Sequence, residues 1–330
     1  MIRTIYAAQY RWYAYSSYNF LMDVLTDILH SLRLSGGVRF QCDFRAPWGM
    51  EMKSASVADF HIITRGQCWL RLGAQAQPVP LQAGDIVVFP HGDGHALTAS
   101  PDEDTVPAEQ IVEGRDLDHY GPVTYGGDGL PAGILCGYFE FDREQRHPLV
   151  AALPPLIHLR ATDAQDLAWL QTVIGLITQE TRYPRPGVQA VVNRLAEVLF
   201  IQILRAHLGR ASAPAGILAA IADRQVGAAL AQLHGAPEKS WTVATLGRRA
   251  AMSRSAFSAR FTRLVGETPM QYLALRRMEK ARALLMSPQV STAAVAEKVG
   301  YRTEAAFSKA FKRIVGVGPG AFRRKGNDRR

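Results

Sequence analysis

Cysteine and long apolar runs are both scarce in this chain of 330 residues. Only Cys42, Cys68 and Cys136 occur, without a C-x-x-C pair, which argues against a disulfide framework and against a structural zinc finger. No run of eighteen apolar residues is found, and the first twenty residues lack the apolar stretch and cleavage site of a secretory signal. We therefore expect a cytoplasmic protein with reduced thiols and no membrane span.

The sequence also shows no acid–base pair or nucleophile constellation of the kind that catalysis requires. This argues against an enzyme. What the chain does have is size, because 330 residues, 48% of them apolar, can form two domains with ordinary packed cores.

Positive charge is concentrated in the C-terminal part. Residues 240–330 hold 19 Lys and Arg against 5 Asp and Glu, whereas residues 1–239 hold 19 against 24. A segregated positive charge is typical of a surface that binds phosphates, since neutralised phosphates release their counterions. Nucleic acid is the partner that we expect, and a membrane surface is the alternative.

The first half of the chain has the pattern of short strands. From about residue 36 to 142, β-branched or aromatic runs alternate with Gly and Pro, which predicts an antiparallel β-barrel or sandwich. The acidic, Gly-rich stretch from Ser100 to Pro131 shows no periodicity. We interpret it as a long exposed excursion between two strands, partly disordered.

Helical periodicity follows in residues 163–182 and 187–208. The predicted apolar stripes are Leu167, Leu170, Val173, Ile174 and Ile177 on the first helix and Val191, Leu195, Val198, Leu199 and Leu204 on the second. These stripes exceed what one small barrel needs to cover, so we predict that the helical pair forms a homodimer interface. The segment 209–216, GRASAPAG, is the predicted domain boundary.

Two segments after this boundary repeat each other, residues 242–266 and residues 291–316. Phe257 and Phe261 pair with Phe307 and Phe311 at an offset of fifty, whereas the offset is forty-nine upstream of the turn. Each segment predicts a helix, a tight turn and a second helix. The capping residues are Thr242 and Ser253 in the first unit and Thr303 in the second, where Gly300 supplies the turn.

The outward faces of the two second helices carry short polar and basic side chains, which suit base edges and phosphates. The predicted DNA-binding residues are Arg254, Ser255, Ser258, Ala259, Thr262 and Arg263 in the first unit and Glu304, Ala305, Ser308, Lys309, Lys312 and Arg313 in the second. A long helix from Pro269 to about Met286 would hold the two units about one DNA turn, ~34 Å, apart. The alternative is a helical domain with a solvated charged face.

The C-terminal part resembles the AraC/XylS family, whose signature is similar to AAFSKAFKRIVGVGPGAFRR at 305–324. The resemblance covers roughly residues 220–324 and implies a sequence-specific DNA-binding transcriptional regulator, usually an activator that contacts RNA polymerase. One departure is Gly318, where the family more often has Ser or Thr before the proline. That difference affects a helix cap and not the assignment.

The segment LQAGDIVVFPHGDGHAL at 81–97, with residues 60–72 and 135–142, resembles the cupin-type N-terminal domains of AraC-like regulators. The resemblance implies a cupin-like antiparallel β-barrel that senses a small molecule, a metal or an oxidant. Cupin centres hold a divalent metal with His and carboxylate side chains, and His61, His91 and His95 are the candidates. Because the His-x-His and Glu of the first cupin motif are represented by His61 alone, ordinary structural histidines remain an alternative.

A thiol pair offers another means of sensing. Cys42 and Cys136 both lie on predicted strands, and a pair within disulfide reach could switch the domain on oxidation. Buried, inert cysteine is the alternative interpretation, and Cys68 is expected simply to pack.

The predicted fold is therefore α+β and multidomain. The predicted domains are a cupin-like sensor over 21–160, a helical dimerisation region over 161–215 and an AraC-type DNA-binding domain over 216–330. Residues 1–20 form an extension that does not resemble the family, and a start codon chosen too early, ahead of Met22, would explain it. Two other functions remain open, a cupin metalloenzyme with an accessory DNA-binding tail and an architectural protein that coats DNA.

Overall fold

The computed structural model describes residues 24–29, 32, 34–73, 77–114, 122–141, 148–163, 168–183, 185–208, 216–287 and 289–327. The chain divides into two compact units. We call Leu32–Pro214 the β-rich unit, and Met1–Ser31 with Ala215–Arg330 the helical unit. Residues 1–20, part of the predicted excursion and Leu167 lie outside the described residues.

Strands make up most of the β-rich unit. They are β1 (Ser35–Arg45), β2 (Gly49–Met52), β3 (Ala58–Arg65), β4 (Gln67–Arg71), β5 (Val79–Gln82), β6 (Ile86–Phe89), β7 (His95–Thr98), β8 (Val106–Pro107), β9 (Val123–Gly126), β10 (Pro131–Glu140) and β11 (Ile157–Leu159). Several follow the predicted pattern of β-branched and aromatic runs that end at Gly or Pro.

The sequence predicts an antiparallel β-barrel or sandwich, and the strands form two sheets, ordered β11-β6-β3-β10-β1-β9 and β5-β4-β7-β2-β8, without closing into one barrel. Two pairings, β1 with β9 and β2 with β8, are parallel, whereas all were expected to be antiparallel. The reason lies in the stretch between Ser100 and Pro131, which contributes β8, β9 and a short helix. Parallel neighbours need a long connection, and β8 and β9 each follow their partner strand by more than fifty residues.

Apolar side chains from both sheets pack into one core. Phe44, Met50, Leu70, Phe89 and Leu97 belong to it, and all five are fully buried. The space between the sheets is thus filled by side chains.

The helices, in chain order, are α1 (24–29), α2 (Ala108–Val112), α3 (Pro148–Ala151), α4 (Ala168–Arg182), α5 (Val188–Leu208), α6 (Ile217–Ala222), α7 (Arg224–Gly235), α8 (Val243–Arg249), α9 (Arg254–Val265), α10 (Pro269–Leu285), α11 (Thr292–Lys298), α12 (Glu304–Val315) and α13 (Pro319–Asn327). Helices α4 and α5 pack on each other, and α5 also packs on β1. The face that α5 buries matches the predicted stripe only in part, because Leu199 and Leu204 are buried while Val191 and Val198 are 43% and 42% exposed.

The helical unit contains α6 to α13 and also α1, whose residues Val24, Leu25 and Ile28 are buried. Helix α1 precedes the first strand in the sequence, and we had placed residues 21–160 together in the sensor. Its contacts instead place it with the C-terminal helices.

Candidate functional site

Each half of the helical unit contains a short helix, a turn and a longer helix, as the sequence predicted. In the first half, the Thr242 side chain accepts a hydrogen bond from the backbone of Thr245 and caps α8, and Ser253 caps α9. Helix α9 ends at Gly266, which has a left-handed backbone. In the second half, Thr303 caps α12 in the same way.

The turns of the two halves differ at one equivalent position. Gly300 has φ +85° in the second turn, and Ala251, forty-nine residues earlier, has φ +52° in the first. Such a backbone suits glycine and costs alanine about 1–2 kcal/mol. The first turn is therefore built with local strain that the second avoids.

The buried sides of α9 and α12 are formed by aromatic pairs. The ring centroids of Phe257 and Phe261 lie 5.6 Å apart, and those of Phe307 and Phe311 lie 5.5 Å apart. All four rings are fully buried. With these rings fixed in the core, the opposite sides of both helices face outward.

The twelve side chains predicted to bind DNA are all accessible to solvent. Ser258, Thr262 and Ser308 are half-buried; the exposed ones are Arg254, Ser255, Ala259, Arg263, Glu304, Ala305, Lys309, Lys312 and Arg313. Their accessibility is compatible with the predicted contacts, and their individual roles stay predictions.

Helix α10 is fixed to the loop that joins α7 and α8, a contact that no pattern in the sequence indicates. The Arg277 guanidinium donates to the backbone carbonyls of Pro237 and Lys239 at 2.8 and 2.9 Å. Lys280 pairs with Glu238 at 3.0 Å. Both basic residues therefore hold the connecting helix against this loop.

Arg276 on α10 is also engaged, since it is buried and pairs with Glu279 and with Asp27 of α1. Asp27 contacts His234 Nδ1 at 2.7 Å, and His234 Nε2 lies 2.6 Å from the Tyr272 hydroxyl. Burial raises the pKa of Asp27, but the hydrogen bond from His234 and the charge of Arg276 outweigh it and lower the pKa overall. These polar groups tie α1, α7 and α10 together.

In the β-rich unit, two of the three predicted metal-binding histidines meet. His61 Nε2 and His95 Nε2 are 2.7 Å apart, while His91 Nε2 contacts the carbonyl oxygen of Leu153. Burial lowers the pKa of His95 to about 4 and that of His61 well below its usual range. Both rings are therefore neutral near pH 7, and one donates to the other.

This arrangement does not fit a cupin-type metal centre. In a tetrahedral zinc site, each imidazole nitrogen lies about 2.0–2.1 Å from the metal. Two such nitrogens are farther from each other than the 2.7 Å between His61 Nε2 and His95 Nε2. Among the residues that the structure describes, no group of three or more His, Cys, Asp or Glu side chains could hold a metal. The metal site remains a prediction from the resemblance.

The predicted thiol pair lies next to these rings. Cys136 Sγ is 3.1 Å from His61 Nδ1 and 3.9 Å from Cys42 Sγ. Cys42 pairs in register with Ile134 and not with Cys136, so the two thiols occupy diagonal positions on one face of the sheet. Burial raises the pKa of Cys42 well above its usual value, and hydrogen bonding with Cys136 raises it further.

A cavity of about 750 Å³ opens on the sheet that contains β4, β2 and β7. It is lined by both acidic and basic side chains, among them Glu51, Lys53, Arg71 and Asp102, and by His95. The histidine pair is thus reachable from this cavity through His95.

The two parts of the chain match two protein families. Residues 23–209 match a family described as cupin, and residues 246–325 match a helix-turn-helix domain. An AraC-like transcription regulator of Streptomyces lividans is 32% identical over 305 residues, which are 92% of this chain and 98% of that protein. The chain belongs to the AraC-like transcriptional regulators.

The chain is also similar to a second regulator over most of its length and to a solved DNA-binding domain over about a third of it. The RCS-specific HTH-type transcriptional activator RclR of Escherichia coli (strain K12) is 25% identical over 306 residues, 92% of this chain and 98% of that protein. The DNA-binding domain of AdpA, solved in complex with a target DNA, is 34% identical with a TM-score of 0.30, covering 32% of this chain and 95% of that one.

This AraC-like regulator is a DNA-binding protein whose cupin domain indicates ligand sensing, and the names of its relatives favour regulation over a cupin enzyme. Over the described residues, no helix is both long and apolar enough to cross a bilayer.

Proposed function

We propose that the protein is an effector-controlled transcriptional activator that binds a bipartite DNA site through α9 and α12. The observation that carries this proposal is the duplication, in which two capped helices expose equivalent faces over equivalent aromatic pairs. Helix α10 has 17 residues and is about 25 Å long. Its contacts with the loop before α8 supply the rigidity that reading two successive major grooves requires.

We assign the predicted DNA-binding side chains to two kinds of contact, with bases and with phosphates. We assign base contacts to Ser255 and Ser258 of α9 and to Glu304, Ser308 and Lys309 of α12, by their position on the helices. Arg254, Arg263, Lys312 and Arg313 are assigned to phosphates. The short Ala259, Thr262 and Ala305 allow close approach to the groove.

Selection of DNA sites from a random pool at ~0.15 M salt tests this proposal. A bipartite site with half-elements about one helical turn apart is expected, and no enrichment would overturn it. The matched variants are Lys309→Ala and Lys312→Ala, which lie one turn apart on α12. The first should cost about 1–3 kcal/mol and relax specificity at one position, whereas the second should weaken all sites equally and lower the salt slope by about 1.

The same experiment separates a regulator from an architectural protein. A protein that coats DNA neutralises phosphates without reading bases, so its affinity falls steeply with salt and shows no preferred site. Sequence-selective binding that persists at ~0.15 M salt therefore supports the regulator.

We propose that α4 and α5 join two copies of the chain. Leu176, Val191 and Val198 are large apolar side chains, each more than 40% exposed, and the two valines are seven residues apart on one face of α5. Analytical ultracentrifugation of the double variant V191D/V198D should show a monomer. The control is Leu130→Asp, which also adds a charge at an exposed apolar position of the same unit; equal dissociation by both would refute the assignment.

The assignment as an activator is supported by the relative that is itself named an activator. In this proposal, the bound dimer contacts RNA polymerase. In-vitro transcription from a selected site, with and without the protein, should show more transcript when the protein is present; less transcript would instead make it a repressor.

Besides binding of an effector, oxidation of Cys42 and Cys136 is a second candidate signal. The distance of 3.9 Å between their sulfur atoms favours it. A hydroperoxide would oxidise one thiol to a sulfenic acid with release of its alcohol or water, and the second thiol would displace water to form the disulfide. Diagonal positions have Cα atoms about 7–8 Å apart, so closing the bond would shift β1 against β10. That shift would be the signal.

Burial and the raised pKa of Cys42 count against this second candidate, because thiolates and not thiols react. Mass spectrometry after treatment with hydrogen peroxide distinguishes the two views. A loss of two hydrogens that is absent in Cys42→Ser and present in Cys68→Ser supports the switch, and unchanged mass shows that the cysteines are inert core residues.

A further inference from the structure

The β-rich unit has a second cavity, of about 460 Å³, between α4 and one end of β3. One wall is formed by Ile63 and Thr64 of β3 and by Gly84 in the turn before β6. The other wall consists of Gln171, Ile174, Gly175, Thr178 and Gln179 of α4, with Tyr183 just beyond the helix. We call this space the α4 cleft. Its volume lies within the range of small-molecule sites, about 300–1,000 Å³.

The core between the sheets has no room for an effector, because side chains fill it. Phe44, Met50, Phe89 and Leu97 are fully buried there and in contact within one cluster. Side chains packed at the density of a protein interior leave few voids larger than water. A ligand of this unit is therefore expected at its surface clefts.

The lining of the α4 cleft is uncharged throughout. Ile63 and Ile174 supply apolar surface, while Thr64, Thr178 and the amide of Gln171 supply hydrogen-bonding groups. An ion that leaves water for such a site would find no charged partner, which costs far more than transfer of a neutral polar group. The other cavity, by contrast, carries acidic and basic side chains.

Gly175 is the most telling residue of this lining. It lies in the middle of α4, where glycine is less favourable than alanine. A Cβ at Gly175 would meet no atom within 4 Å, so close packing does not require glycine there. Gly84 across the cleft differs, because its φ is +93° and a Cβ would lie 2.8 Å from the Ala161 Cβ. The missing side chain at Gly175 leaves room for an occupant.

We propose that the α4 cleft binds an uncharged, partly apolar small molecule with a hydrogen-bonding group, and that this molecule is the effector. This inference rests on the proposed regulatory function. The bound molecule bridges β3 and α4. Since α4 also carries Leu176 of the proposed dimer face, occupancy of the cleft changes how the two copies meet.

The test uses the full chain and the neutral fluorescent probe N-phenyl-1-naphthylamine. Its sulfonated analogue, 8-anilinonaphthalene-1-sulfonate, has nearly the same rings with a negative charge and serves as the ligand control. The filling variant is Gly175→Leu, and the matched variant Gly175→Ala restores helix propensity while leaving most of the volume open. Thr178→Leu fills the cleft from one turn farther along α4, should Gly175→Leu fail to fold.

The neutral probe should bind the native chain and Gly175→Ala, and at least tenfold more weakly the filling variant, as followed by fluorescence titration. The sulfonate should bind the native chain at least tenfold more weakly than the neutral probe. Equal binding of both probes, equal binding to filled and open variants, or no binding of the neutral probe would each overturn the proposal. Because no DNA is present, these outcomes are independent of the site-selection experiment, whose failure would instead refute the regulatory function.

Discussion

The two helix-turn-helix turns provide a reciprocal test of backbone strain. Gly300→Ala places a side chain on a left-handed backbone, which costs about 1–2 kcal/mol, and its Cβ would lie 2.8 Å from the Cα of Glu238 and still closer to that residue's carbonyl oxygen. Displacing a packed backbone costs about 1–3 kcal/mol more. Alanine also lowers the entropy of the unfolded chain, which offsets about 0.5–1 kcal/mol of these costs, so we expect Gly300→Ala to lower the free energy of unfolding by about 1.5–4 kcal/mol.

The reverse substitution at the equivalent position should stabilise the protein. Ala251→Gly removes strain of about 1–2 kcal/mol but adds chain entropy to the unfolded state, for a net gain of about 0.5–1 kcal/mol. The control is Gly316→Ala, where φ is +86° but a Cβ would meet nothing within 4 Å, so only about 1 kcal/mol should be lost. Urea unfolding of the full chain, followed by fluorescence and by circular dichroism, measures all three; equal losses for Gly300→Ala and Gly316→Ala would refute the role of the Glu238 contact.

Three further predictions concern stability and composition. Burial lowers the pKa of His95 to about 4 and also lowers that of His61, so the unfolded state binds more protons between about pH 4 and 6.5. The free energy of unfolding should therefore fall by at least about 2 kcal/mol from pH 7.5 to 5 in urea titrations, and a flat profile would contradict this. Asp223 caps α7 and pairs with Arg260 at 2.6 Å, so Asp223→Ala should cost about 1–3 kcal/mol by thermal or urea unfolding, and Asp223→Asn less because it keeps the cap. Elemental analysis of the purified protein should find no stoichiometric zinc, and a chelator should leave its melting temperature unchanged. One bound zinc ion per chain would instead support the predicted metal site.

The repeated part of the fold was the most predictable from sequence. Its helices are set by local signals, since Ser253 and Thr303 cap them and each carries a pair of phenylalanines four residues apart, Phe257 with Phe261 and Phe307 with Phe311. The position of Gly300 also followed from its backbone freedom. Ala251 could not be foreseen, because alanine gives no sign of a left-handed backbone and only the repeat alignment points to it.

Long-range arrangement was less predictable. The parallel pairings of β8 and β9 depend on where a nonperiodic stretch of chain returns, which no local pattern records. Val191 and Val198 fit a helical stripe, yet α5 turns a neighbouring face to β1 and leaves them exposed. The diagonal placement of Cys42 and Cys136 depends on strand register. His91 lies in the turn after β6 and contacts Leu153, so it does not join the pair formed by His61 and His95.

Helix α1 also has a consequence for the order in which the protein assembles. Helices in proteins are stabilised mostly by tertiary packing, and the partners of Asp27 on this helix, His234 and Arg276, follow more than 200 residues later. At about 5–20 residues per second, a ribosome takes on the order of ten to fifty seconds to synthesise the intervening chain. Among the described helices, the first to emerge is thus among the last to complete its contacts, and the DNA-binding unit becomes complete only after the whole sensing unit has been made.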